Sequence, residues 1–126
     1  MTWSALANGS KGVFWFLYQS ERVGAAMMDG LVDRDFKARP LWDEVARLTR
    51  QIGPLTATLA GLRDPQEVKQ DDPLLMVRRL TNARGSRNYL IAVNLDTAHA
   101  RRVKVGGGEV ELEAGGGKLF DASPMP

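Results

Sequence analysis

The side chains best suited to acid–base chemistry are four carboxylates in the polar stretch between residues 19 and 39. They are Glu21, Asp29, Asp33 and Asp35. Carboxylates can serve as general acids, bases or nucleophiles, and glycoside hydrolysis uses a pair of them. Their spacing does not indicate such a pair, and acidic residues ahead of a helix are favoured by the helix dipole alone. We therefore predict no catalytic residue in this chain.

The patterns that would hold a metal ion are incomplete. Asp33 and Asp35, with Glu44, match three positions of a calcium-binding loop, but Ala38 stands where that loop requires glycine. The sequence contains no cysteine, and its single histidine is His99, in a predicted turn. A histidine in a turn is more often solvated than a ligand. The sequence therefore predicts neither a metal site nor a cofactor.

The first half of the chain is predicted to contain helices around one apolar strand. Thr2–Asn8 is a short helical segment closed by glycine, and Val13–Tyr18 is a run of six large apolar or aromatic residues. A run without alternation is typical of a strand covered on both faces, as in a parallel sheet. After a loop over 19–39, Pro40 begins a helix with a clear apolar stripe, which Gly53 and the following proline end.

In the second half of the chain, the hydrophobic pattern becomes the one that is typical of short antiparallel strands. Residues 64–73 are charged and bounded by prolines, so we interpret them as a linker. Five short runs separated by turn residues then predict a small antiparallel β-sandwich, with Tyr89–Val93 at its centre. These runs are Leu74–Thr81, Asn88–Leu95, Ala100–Val105, Glu109–Glu113 and Lys118–Phe120. The expected fold class is therefore α+β.

The basic and acidic residues are unevenly distributed in only one short segment of the sequence. Residues 78–104 contain seven basic side chains and one acidic one, which is where a nucleic-acid site would be sought. A hairpin formed by the runs Ala100–Val105 and Glu109–Glu113 would place Arg102 and Lys104 opposite glutamates. These glutamates, Glu109 and Glu111, would neutralise the basic side chains. We therefore expect no nucleic-acid partner. No apolar run approaches the ~20 residues that cross a bilayer, so we expect no membrane partner either.

Three segments of the first half together resemble a known family. Ala5–Ser20 (ALANGSKGVFWFLYQS), Gly30–Asp33 (GLVD) and Arg39–Val45 (RPLWDEV) resemble the closing part of the catalytic barrel in β-galactosidase-like glycoside hydrolases. The resemblance covers about residues 3–63. The second half, with its run Tyr89–Asp96, is similar in kind to the small β-sandwich domain that often follows such barrels. One departure is Arg34-Asp35-Phe36, where the family has a glycine turn.

The resemblance implies a domain organisation and a function. Residues 1–63 would be the last strand and helices of a (β/α)₈ barrel, residues 64–73 a linker, and residues 74–126 a C-terminal β-sandwich. The chain would then be the C-terminal part of a glycoside hydrolase that acts on glycosidic bonds. Both catalytic carboxylates of such enzymes would lie upstream of Met1, so we expect the chain alone to be inactive.

The same resemblance places three candidate carbohydrate-binding residues at the end of the predicted strand. Barrel enzymes build their sites at the C-terminal ends of their strands. There, Trp15 and Tyr18 could pack against the apolar face of a pyranose, and the amide of Gln19 could bind its hydroxyl groups. The competing interpretation for each of them is packing in the core. Carbohydrate, bound through the parent enzyme, is the expected partner.

An alternative function belongs to a different class, a stand-alone carbohydrate-binding or interaction domain. The strand predicted over residues 13–18 distinguishes the two. In a self-sufficient domain it would pair with another strand of this chain. In a fragment it would be unpaired, would expose Phe14, Trp15 and Phe16, and would favour self-association through its edge.

Overall fold

The computed structural model describes residues 1–15 and 17–122, and it contains three α-helices and eight strands in that part. The helices are α1 (Thr2–Ala7), α2 (Pro40–Ile52) and α3 (Thr56–Gly61), with a 3₁₀ turn at Gly53–Leu55. The strands are β1 (Glu21–Val23), β2 (Ala26–Met28), β3 (Leu62–Val68), β4 (Leu75–Asn82), β5 (Asn88–Asn94), β6 (Arg101–Val105), β7 (Gly108–Leu112) and β8 (Gly117–Asp121). All strand ladders are antiparallel, so the α+β class is confirmed.

The chain divides into two compact units. The first, here called the β unit, combines Met1–Gly12 with the chain from Thr58 onward, and the second, the loop–helix unit, is Val13–Ala57. In the β unit, four strands form a sheet in the order β3-β4-β5-β8, and β6 and β7 form a separate hairpin. Strand β5 lies inside the sheet, as its apolar sequence predicts.

The sheet and the hairpin enclose one hydrophobic core of the β unit. Val77 of β4 and Ala92 of β5 are buried together with Val103 of β6 and Leu112 of β7. On the outer face of the hairpin, Arg102 lies 3.7 Å from Glu109 and 3.6 Å from Glu111, in the register that the alternating charges predict. Alternate side chains of these strands are therefore buried between the four-stranded sheet and the hairpin, which form two packed antiparallel layers.

Helix α1 covers the opposite face of the four-stranded sheet. Trp3 and Leu6 are buried to 2% and 5% exposure, and Ile91 and Val93 of β5 are fully buried on that face. Because successive side chains of a strand point to opposite sides, β5 is apolar on both faces and packs in both directions. Six helical residues are too few to be stable alone, so this packing holds α1 in place.

The structure divides the chain differently from the sequence-based boundaries of 1–63, 64–73 and 74–126. Helix α1 belongs to the β unit, and residues 64–68 lie in β3 where a linker was expected. The register shifts between Arg63 and Gln66, and Asp64 has φ +54° there. A bulge accommodates Pro65, which has no N–H to donate to the ladder. An exposed, bulged edge strand therefore resembles a linker in sequence.

The strand predicted over Val13–Tyr18 does not form among the described residues of that segment. Phe16 lies outside the described residues. A strand with two apolar faces needs ladder partners, and among the described residues the chain supplies one only where residues 30–32 run alongside residues 17–20. Phe14 is 97% exposed as a result.

The helix predicted to begin at Pro40 and end before Gly53 is confirmed as α2. None of its side chains is buried, although its apolar residues lie along one face. The loop predicted over 19–39 contains the short hairpin β1–β2, whose residues are all exposed and which turns at Gly24 with φ +62°. None of the described helices is long and apolar enough to cross a membrane.

Candidate functional site

Two stretches of the loop–helix unit run side by side and position its candidate site. The N–H of Val32 donates to the Tyr18 carbonyl at 2.9 Å, and the N–H of Ser20 donates to the Val32 carbonyl at 2.9 Å. A Cβ atom at Gly30 would lie 2.6 Å from the backbone carbon of Gln19. The close approach of the two backbones therefore requires glycine at position 30, the first residue of the GLVD motif.

The segment after that motif is a tightly bonded loop. The Asp33 Oδ1 accepts hydrogen bonds from the N–H of Asp35 at 2.8 Å and of Lys37 at 2.9 Å. Phe36 has φ +61°, a left-handed conformation that usually selects glycine. The turn therefore carries an exposed phenylalanine at a position where glycine would be unstrained.

Gln19 is connected to this loop by its side chain. Its Nε2 donates to the Arg34 carbonyl at 3.0 Å, which fixes the orientation of the amide. Its Oε1 accepts no hydrogen bond from the described part of the chain. Gln19 therefore presents a free acceptor at a fixed position.

Tyr18 contacts an aromatic residue that sequence reasoning missed. Its ring centroid lies 6.3 Å from that of Trp42, with an interplanar angle of 66°. Tyr18 is 55% exposed and Trp42 is 40% exposed, so both rings keep a large face in water. Trp42 lies in the first turn of α2, the helix that follows the loop.

Trp15 does not join this group. It is 40% exposed, and its ring contacts no other aromatic ring in the described residues. Of the three residues predicted to bind sugar, Tyr18 and Gln19 are thus adjacent and fixed by the backbone of residues 30–34, and Trp15 lies outside the ring pair.

The loop carboxylates have structural partners or lie in water. Asp29 forms an ion pair with Arg39 at 3.0 Å, and Asp33 caps the loop described above. Glu21 and Asp35 are exposed. No cluster of three or more potential metal ligands occurs in residues 1–15 and 17–122. The arrangement can bind a neutral ligand through rings and an amide, and it offers no acid–base pair.

The strongest charge cluster lies in the β unit. Arg101 donates from Nη1 to Asp72 at 2.7 Å and from Nη2 to Asp96 at 2.8 Å. The backbone N–H of Ala98 and then the Arg101 guanidinium hold the pKa of Asp96 far below its usual value. The backbone N–H of Leu74 and then Arg101 lower the pKa of Asp72. Carboxylates held ionised in this way brace loops and do not transfer protons near neutral pH.

The buried side chain of Asn94 is hydrogen-bonded to the same cluster. It is 1% exposed, and its Nδ2 donates to the carbonyls of His99 at 2.8 Å and Glu113 at 2.9 Å. Its Oδ1 accepts from the N–H of Asp96 at 2.9 Å. The cluster therefore joins the end of β5 to the beginning of β6 and the end of β7.

Comparisons of the chain with protein-family models, with curated proteins and with solved structures found no match.

Proposed function

We propose that this chain is the C-terminal part of a glycoside hydrolase and has no hydrolytic activity alone. On this proposal, residues 13–57 are the last strand and helix of a (β/α)₈ barrel, and the part of the β unit from Thr58 onward belongs to the domain that follows it, with α1 packed on that domain. The catalytic acid/base and nucleophile are carried by upstream strands. Carbohydrate is the partner, through the parent enzyme.

One observation carries the proposal: the loop–helix unit leaves apolar surface uncovered where a barrel would cover it. Phe14 is 97% exposed and Trp15 is 40% exposed, and no backbone hydrogen bond joins residues 13–15 to another described residue. Such surface is unfavourable in water by about 25 cal/mol per Å². Barrel strands that flank residues 13–18 would supply both the missing ladder and the missing cover.

Helix α2 supports the same interpretation. Its apolar stripe is Leu41, Val45, Leu48 and Ile52, yet Leu41 is 51% exposed and no side chain of the helix is buried. Amphipathic helices of this kind normally pack their stripe against a sheet or another helix. In a barrel, the outer face of the strands is the surface on which such a helix packs.

Sequencing the DNA upstream of Met1 in frame tests the proposal directly. We expect a continuous open frame of about 200 codons or more that encodes further strand–helix units and two carboxylates at strand ends. An in-frame stop codon close to Met1 would overturn the proposal.

The second test is an assay of the purified chain on chromogenic aryl glycosides. We expect no release of the chromophore above the buffer blank, because retaining hydrolysis needs two carboxyl groups roughly 5–5.5 Å apart. The parent protein, if the open frame is found, is the positive control. Turnover by the isolated chain would contradict the proposed inactivity.

A second candidate, a stand-alone carbohydrate-binding or interaction domain, is favoured by the closure of the β unit. Its sheet is covered on one face by α1 and on the other by the β6–β7 hairpin. A unit closed in this way can fold without a barrel. Cooperative unfolding of the chain together with an upstream stop codon would select this candidate.

A further inference from the structure

We propose that the open edge of strand β8 is a docking site for a second copy of this chain. In the proposed dimer, the two copies of β8 pair antiparallel about a two-fold axis at Leu119, and the two four-stranded sheets become one continuous sheet. The contact involves residues of the β unit alone, so it does not depend on the proposed function.

The backbone of β8 directs hydrogen-bonding groups away from the sheet. The N–H of Ala122 donates to the Asn88 carbonyl of β5 at 2.9 Å, so these two opposed residues form a bonded pair. Because bonded and non-bonded pairs alternate along an antiparallel ladder, Lys118 and Phe120 also direct their N–H and C=O groups to β5. Leu119 lies between them and directs both of its groups outward. These outward groups make no hydrogen bond to a described residue.

The other edge of the sheet, strand β3, is closed to a partner strand. Its register shifts between Arg63 and Gln66, and Pro65 in that bulge has no N–H to donate. The Leu62 carbonyl already accepts a hydrogen bond from the Lys11 Nζ. Strand β8, in contrast, pairs with β5 without a register shift and contains no proline. Bulges and prolines protect sheet edges, so β8 is the edge of this sheet to which a strand can be added.

The sequence of β8 fits a second copy of itself in one register. A two-fold axis normal to the sheet places one residue opposite its own copy. With the axis at Leu119, the outward N–H and C=O groups of the two copies bond to each other, and two apolar side chains are paired. The same register places Lys118 opposite Phe120 of the second copy. These side chains are already compatible within one chain, where the Lys118 Nζ lies 5.6 Å from the centre of the Phe120 ring.

Moving the axis by one residue gives poorer side-chain pairs. An axis at Lys118 places two ammonium groups opposite each other, which is repulsive. An axis at Phe120 places Leu119 opposite Asp121, so that an apolar side chain meets a carboxylate. Leu119 is therefore the residue on the axis. Since each copy uses β8 once and β3 is closed, the assembly stops at a dimer.

Hydrogen exchange of the ¹⁵N-labelled full chain, measured by NMR at about 0.02 mM and about 1 mM protein, tests the proposal. We expect exchange of the Leu119 amide to slow by about fourfold or more at the higher concentration, as for a Kd on the order of 0.1 mM. The Phe120 amide donates to β5 in a single copy already, so its exchange should change by less than about twofold. Association through residues 13–15 would leave the Leu119 amide unprotected.

Two substitutions at one position separate the backbone contact from the side chain. Leu119→Pro removes the outward N–H and leaves the hydrogen bonds to β5 in place. The Gly117 amide, which also points outward, should slow with concentration in the wild type and should lose this dependence in Leu119→Pro. Leu119→Ala shortens the side chain but keeps the N–H, so its amide should still slow by about twofold or more. Protection of the Phe120 amide shows that β8 of each variant remains paired with β5.

The proposal is overturned if exchange of the wild-type Leu119 amide does not depend on protein concentration. Concentration-dependent protection of Gly117 that persists in Leu119→Pro would also contradict it, because a contact through the outward N–H of Leu119 cannot survive that substitution. Loss of the effect in Leu119→Ala would mean that the side chain and not the backbone makes the contact, and it would reject the pairing of the two edges. This last comparison decides the matter if Leu119→Pro exposes the Phe120 amide and thereby shows that β8 has detached.

Discussion

The indole of Trp3 lies directly on Gly117: a Cβ atom at position 117 would come within 2.6 Å of the Trp3 Cβ and 2.8 Å of its Cδ2, and it would overlap Cγ. Trp3 belongs to the first helix and Gly117 to the last described strand, so this contact closes the β unit across nearly its whole sequence. The indole is 2% exposed, and the missing side chain of Gly117 makes room for it.

Gly117→Ala should therefore destabilise the β unit by about 1–3 kcal/mol, because the added methyl group must displace the indole in a packed core. Chemical denaturation followed by near-ultraviolet circular dichroism measures the change. Gly61→Ala is the matched control, since a Cβ there meets nothing within 4 Å. Equal stability of Gly117→Ala and the wild type would show that Trp3 does not pack as described.

Asn94→Ala should cost roughly 2–3 kcal/mol in the free energy of unfolding. The substitution removes a buried amide that donates to the carbonyls of His99 and Glu113, and it leaves those carbonyls without this donor. Asn88→Ala, at the exposed beginning of the same strand, is the control. A loss below about 0.5 kcal/mol would mean that water replaces the Asn94 amide without penalty.

Stability should decrease in acid because of the carboxylates bound to Arg101. The pKa values of Asp96 and Asp72 are lowered in the folded state from the ordinary value of 3.8. The stabilisation that they provide is therefore fully present above that value and is lost as the pH falls below it. Urea unfolding between pH 7 and pH 2.5 should show this decrease.

Asp96→Asn should make the stability depend less on pH, since it removes the carboxylate whose pKa is lowered more strongly. Asp71→Asn removes a neighbouring charge that makes no ion pair in the described structure, and it should keep the wild-type slope. If Asp96→Asn and the wild type lose stability in parallel from pH 5 downward, other carboxylates control acid unfolding.

Phe36 should tolerate glycine better than a β-branched residue. At φ +61° a side chain costs about 1 kcal/mol, which Phe36→Gly relieves at the expense of greater freedom in the unfolded chain. We expect Phe36→Gly to be at least as stable as the wild type and Phe36→Val to be less stable by about 1–2 kcal/mol. Hydrogen exchange of the Lys37 amide, which donates to Asp33, reports on this loop. Slower exchange in Phe36→Val than in Phe36→Gly would contradict the expectation.

Self-association should depend on the exposed segment at residues 13–15. Phe14 and Trp15 present apolar surface beside backbone groups that make no hydrogen bond to described residues, which favours pairing between copies. Sedimentation at increasing concentration should show oligomers that the double variant Phe14→Ser, Trp15→Ser greatly reduces. Val23→Ser changes a similarly exposed residue in a paired strand and is the control. Identical sedimentation of all three proteins would exclude the segment as the contact.

The sequence predicted those elements whose periodicity and end signals agree. Helix α2 begins at Pro40 and ends before Gly53 as expected, since proline and glycine fix its limits. The strands of the second half differ from the prediction by one residue or so at each end, because alternation and turn residues define them. The opposition of Arg102 and Glu111 followed from alternation alone.

The remaining features depend on contacts between distant residues, which periodicity does not encode. Strand β3 was missed because its edge position leaves it polar and exposed. The docking of α1 depends on the space above Gly117, and a lone glycine gives no indication of what will occupy it. Trp42 was missed because its partner, Tyr18, reaches it only through the fold of the intervening loop.

The two-part construction of the β unit affects how the protein is synthesised. Helix α1 leaves the ribosome before β4, β5 and β8, which cover Trp3 and Leu6 and follow only after the whole loop–helix unit. During translation the apolar face of the helix is therefore without its sheet, and six residues cannot remain helical alone. The nascent α1 segment must stay extended or be shielded by a chaperone until β8 emerges, so its docking is expected to be a late step of folding.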